Sequence, residues 1–114
     1  MSGESLSISS ERQGGVYRIN TVGELDIATA SSLERSLLDI DEADRMIVLD
    51  LSGLSFIDST GLRVVVELNR RYGGEIDRLR IVAESRAVER LLDLVGLRAQ
   101  LPLITSDQVP LLIR

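Results

Sequence analysis

Short aliphatic runs of strand length alternate along this chain with segments whose apolar residues recur every three to four positions. Residues 46–51 form the strongest strand candidate, and two more, 5–12 and 16–25, flank Gly14-Gly15, a pair suited to a tight reversal. Val88, Leu91, Leu92 and Val95 make an i, i+3, i+4, i+7 stripe between a capping Ser85 and a terminating Gly96. Similar reasoning predicts helices over 29–40, with Thr29 as cap, and over 60–72, stopped by Gly73-Gly74. Strands are expected at 79–84 and 103–105, and a last helical turn after Ser106 with Pro110 in its first turn.

Strands separated by helices at this spacing imply βαβ units, hence an α/β fold with a mostly parallel sheet behind an N-terminal β-hairpin. Strands covered on both faces read as unbroken apolar runs. Here Tyr17 and Ile19 alternate with Arg18 and Asn20, and Leu79, Ile81 and Ala83 with Arg80, Val82 and Glu84. Helices packed mainly on one face, with the other partly wet, fit this better than a doubly wound sheet. With 114 residues, no linker and no internal repeat, a single domain over 1–114 is expected.

Composition removes whole classes of chemistry. There is no Cys or His, and all 13 basic residues are arginine. Thiolate nucleophiles, zinc–thiolate sites, imidazole catalysis, Schiff bases and the phosphate-binding lysine of nucleotide-hydrolysing loops are therefore unavailable. A net charge of −5 and only Tyr17, Phe56 and Tyr72 as aromatics argue against nucleic acid. No apolar run reaches the roughly 20 residues that span a bilayer, and no leader is evident, so a cytoplasmic protein without a membrane partner is expected. No cofactor or metal is implied. A carboxylate-based enzyme would have only Asp26 and Asp58 to nominate, so a non-enzymatic binding or switching module is the better reading.

The informative stretch runs from Leu49-Asp50-Leu51 to Ser59-Thr60-Gly61-Leu62, out of a strand and into a helix. Its bland reading is a helix cap, since Asp, Ser and Thr satisfy the free N–H groups of a first turn. At 100° per residue, Gly61, Val64, Val65, Leu68 and Tyr72 share a core face, whereas Ser59, Arg63, Glu67, Arg70 and Arg71 run along solvent. Ser59 is thereby expected at the exposed N-terminal tip of the helix. Such a tip tolerates phosphate through its free N–H groups and dipole, although Asp58 opposes it by like charge.

In context these residues resemble the STAS domain, and within it the bacterial anti-sigma factor antagonists. The resemblance rests on Gly23-Glu24-Leu25-Asp26, Ile47-Val48-Leu49-Asp50-Leu51, Leu54-Ser55-Phe56-Ile57-Asp58-Ser59-Thr60-Gly61-Leu62 and Leu94-Val95-Gly96-Leu97, in that order across residues 16–105. It implies a β/α superhelix-like fold and a partner switch. The unphosphorylated antagonist binds an anti-sigma factor that is also a serine kinase of the GHKL-type ATPase fold, and the sigma factor is freed. Phosphorylation of the first serine of the signature, here Ser59, ends binding, and a metal-dependent serine phosphatase restores it. The family is often monomeric. The partner-binding set carried over is Asp26, Asp58, Ser59, Thr60, Gly61, Leu62 and Arg63. Another STAS setting (stressosome-like, transporter-associated or nucleotide-sensing) is the alternative.

Several roles stay open at this level. Asp26 is either a turn or capping acid before Thr29 or part of the docking patch beside the Asp58-Ser59 tip. Asp58 orients either the Ser59 hydroxyl or nearby backbone, and Phe56 is assigned to the core, with an interface edge as its alternative. The family usually has a small residue where this chain has Arg63. A solvated Arg63–Glu67 pair is the favoured expectation there, and pairing with phosphate on Ser59, one turn away, is the alternative. Arg86 stands where proline commonly follows the capping serine.

Overall fold

In the computed structural model, which describes residues 5–114, the chain reverses at Gly14 and Gly15 with φ of +55° and +82°. Two successive positive φ values define the hairpin turn whose twist matches paired strands. β1 (Leu6–Gln13) and β2 (Val16–Leu25) accordingly pair antiparallel, with Gln13 opposite Val16 and Leu6 opposite Gly23. Every later strand joins parallel: β3 (Met46–Ile57) beside β2, β4 (Leu79–Val82) beside β3 and β5 (Leu103–Ile104) beside β4. Between them run α1 (Ala30–Leu37), α2 (Ser59–Tyr72) and α3 (Arg86–Val95).

The five strands lie in the order β1-β2-β3-β4-β5. Right-handed crossovers repeated in one direction put every helix on the same face. One continuous core records this: Leu33 of α1, Val65 and Leu68 of α2, and Val88 and Leu92 of α3 pack with Ile19, Ile47, Leu49, Leu79 and Ile81 of the sheet. On the opposite face, Val16, Met46, Val48 and Val82 form a smaller cluster under Val109 of a 3-10 segment, Ser106–Leu112. The one-sided α/β architecture expected from the alternating strands is the one observed.

Several expectations are corrected. The first helix ends at Leu37, not at 40, and the next three N–H groups bond to carbonyls three residues back, a tightened 3-10 ending. Thr29 makes no side-chain cap bond; its hydroxyl donates to the Glu24 carbonyl at 2.8 Å. β3 continues past 51 to Ile57 because its second half pairs with Gly23, Glu24 and Leu25 across shifts in register. Those shifts break strict alternation, so Leu54 and Ile57 are buried while Phe56, expected in the core, is 46% exposed. β4 stops at Val82 rather than 84. Pro110 sits fifth in the seven-residue 3-10 segment, past its first turn, and the segment begins at Ser106 itself, with Thr105 in the N-cap position.

Two carboxylates are held by arginines across the sheet. Arg12 Nε donates to Asp44 at 2.8 Å, and Arg18 donates to Asp50, whose other oxygen accepts the Ser52 N–H at 2.9 Å. The Arg12 hydrogen bond holds the buried Asp44 carboxyl below its usual range. Burial pushes Asp50 up, but Arg18 and Ser52 together outweigh it and hold this carboxyl low as well. The unfolded chain therefore binds more protons than the folded one in acid. This stabilisation is complete above the ordinary carboxyl pKa of about 4 and drains as pH falls through the lower folded values. Urea midpoints should drop between pH 5 and pH 3, and Asp50→Asn should flatten that dependence. Equal slopes for both proteins would remove Asp50 from the effect.

Candidate functional site

Leu25 and Ile57 are partners in the parallel β2–β3 ladder, so the loops that follow them leave the same end of the sheet side by side. One contains Asp26 and Ile27 and leads to α1. The other is the single residue Asp58, which caps α2 in extended conformation. Asp58 ties the two together. Its Oδ1 accepts the Gly61 N–H at 3.0 Å and its Oδ2 accepts the Ile27 N–H at 3.3 Å, while its own N–H donates to the Leu25 carbonyl at 3.2 Å. Of the two roles open to Asp58, the structure selects backbone positioning.

Asp26 organises its own loop. Its Oδ1 accepts the N–H groups of Ala28 at 2.9 Å and Thr29 at 3.1 Å, and its carbonyl accepts the Ala30 N–H at 2.8 Å. This is the turn-forming role, performed next to the α2 tip through Ile27. Both Asp58 oxygens and one Asp26 oxygen are thus engaged by backbone donors. Among the described residues no group of three or more carboxylates converges on a metal position.

Ser59 is the first residue of α2 and is exposed. Among the described residues its hydroxyl makes no hydrogen bond and the Ser59 and Thr60 N–H groups have no acceptor. A hydroxyl in that position is reachable by a modifying enzyme. Thr60 is half-buried, whereas Gly61 and Leu62 are buried and shape the tip from beneath. A Cβ on Gly61 would stand 2.7 Å from both the carbonyl oxygen and Cγ of Leu25. Alanine gains about 1 kcal/mol in helix propensity over glycine, but overpacking costs about 1–3 kcal/mol and a backbone oxygen cannot rotate away. Gly61→Ala should therefore lower the urea midpoint; a midpoint at or above that of the parent would refute the contact.

Arg63 is exposed on the same face one turn beyond Ser59. The expected Arg63–Glu67 pair is absent, because Glu67 is bonded to Arg70 instead. Arg63 has no ionic partner among the described residues.

An apolar surface borders the tip that sequence reasoning did not assemble. Ile27 is 79% and Leu94 82% exposed, and Phe56 shares a groove with Leu91 and Leu94 of α3. Its signal was available in Leu94, an apolar residue lying off the Val88-Leu91-Leu92-Val95 stripe. No helix among the described residues is long and apolar enough to cross a membrane.

The fold and tip define a small one-sided α/β domain in which a free serine, rather than a converging set of catalytic groups, is on display. The chain belongs to the STAS domain family, whose sequence model matches residues 7–108. It is 30% identical over 95 residues to an anti-sigma-B factor antagonist of Staphylococcus aureus, covering 82% of this chain and 88% of that one. It is 26% identical over 95 residues to the anti-sigma-F factor antagonist RsfB of Mycobacterium tuberculosis, covering 82% and 77%. The crystal structure of an anti-sigma factor antagonist from Mycobacterium paratuberculosis superposes with a TM-score of 0.79 at 29% identity, over 96% of this chain and 94% of that one.

Proposed function

We propose that this protein is an anti-sigma factor antagonist governed by the phosphorylation state of Ser59. Unmodified, it binds an anti-sigma factor that is also a GHKL-type serine kinase, and the sigma factor is released. The kinase phosphorylates Ser59 and binding ends; a serine phosphatase resets the cycle. The chain acts in the cytoplasm as a monomer and regulates transcription without touching nucleic acid.

The observation that carries this reading is the unbonded, exposed Ser59 hydroxyl at the first position of α2. Asp26 and Asp58 hold the docking patch in shape, Gly61 and Leu62 seat it on β2, and Ser59, Thr60 and Arg63 face the partner. Named relatives with the antagonist role support the partner class. Affinity capture from the source organism with Ser59→Ala as bait tests it, with bound proteins identified by mass spectrometry. Recovery of a GHKL-type kinase is the expected result. Recovery of a metabolic complex and no such kinase would overturn the assignment.

A further inference from the structure

We propose that Arg63 is the counter-ion captured by the phosphate once Ser59 is modified, so that modification turns a tip balanced between Asp58 and Arg63 into an anionic one. The inference rests on the reading of Ser59 as the phosphorylation site and assigns a residue to its regulation.

Residues four apart on a helix face have Cβ atoms about 5–6 Å apart, well within the reach of an arginine. Both residues are exposed, and Arg63 enters no ion pair among the described residues, where Arg70 holds Glu67. The tip itself supplies little else. Asp58 already occupies the Gly61 N–H, leaving only the Ser59 and Thr60 N–H groups, and these lie beside the Asp58 carboxylate. A phosphate dianion there meets one repelling charge and two neutral donors until a cation closes on it. The planar guanidinium fork suits two phosphate oxygens at once.

The modification brings about −1.5 to −2 charges at neutral pH. With Arg63 turned inward onto it, the tip changes from one carboxylate balanced by one exposed cation to a net anion. The pairing also keeps the phosphate doubly ionised under mild acidity, which holds the released state in its fully charged form.

Phosphoserine encoded at position 59 of the full chain, followed by a phosphorus NMR titration, tests the pairing without any kinase. Other charges near the tip are Asp58 and Asp26 at its base, and Arg90 and Asp93 line the groove that reaches Ile57 beside it. Removing Arg63 leaves all of these in place. Arg63→Ala should raise the second phosphate pKa by about half a unit, the size set by an exposed ion pair. Arg63→Lys should restore part of the shift, and Arg70→Ala, which frees Glu67 to compete for Arg63, should raise the pKa by less than Arg63→Ala does. Coincident curves for the parent and Arg63→Ala would overturn the proposal. Because the phosphate is installed during synthesis, that result would stand apart from whether a kinase uses Ser59 at all.

Discussion

Under the proposed switch, a chain carrying phosphoserine at position 59 should bind the anti-sigma kinase about 10²- to 10⁴-fold more weakly than the unmodified protein, while Ser59→Ala binds as the unmodified protein does. The size follows from a penalty of about 3–5 kcal/mol for desolvating a dianion at an interface. Ser59→Asp, with one charge instead of two, should fall between them. The loss belongs to the interface and not to the fold. Ser59 is exposed, its hydroxyl supports no structural bond, and the helix start is capped by Asp58 without it. Thermal unfolding of the phosphoserine protein should accordingly match that of the parent, and titration calorimetry with the kinase should carry the whole difference. Equal affinities for Ser59→Ala and the phosphoserine form would take Ser59 out of the contact.

Leu25→Ala should cost about 2–5 kcal/mol of stability, the range for emptying a fully buried leucine site. Leu25 is 0% exposed, and it is the point on which three features of the site converge. Its carbonyl accepts the Asp58 N–H, its side chain lies where a Cβ on Gly61 would stand, and its backbone pairs with Ile57. Loss of its side chain removes the floor under the first turn of α2. Urea denaturation should show the drop, and the kinase affinity of the folded fraction should fall with it. A stability change under about 1 kcal/mol would mean that the site collapses around the gap, against the usual behaviour of rigid cores.

Much of this architecture was legible in the sequence because local signals and the fold agreed. The Ser85 cap, the Gly96 stop at φ of +71° and the core face of α2 all follow from spacing alone. The misread segments are those where long-range pairing overrides local preference. Nothing local near Ser52-Gly53 says that β3 continues, since its second half exists by pairing with residues 23–25. The same extension with its shifted register moved Phe56 to the surface. At the site, the solvent-facing stripe of α2 located Ser59 and Arg63 correctly. The partner of Glu67 could not be read, because Arg63, Arg70 and Arg71 all lie within one turn of it and only three-dimensional rotamers choose among them.

The double grip of Asp58 on Gly61 and Ile27 has a thermodynamic consequence. Ordering a mobile loop on association costs about 0.5–1.5 kcal/mol for each immobilised side chain, and a preorganised surface avoids that entropy loss. With two loops from different strands clamped as one rigid platform, little affinity is lost to ordering. In the proposed switch, recognition can then be released by charge alone, without waiting for any segment to fold or unfold.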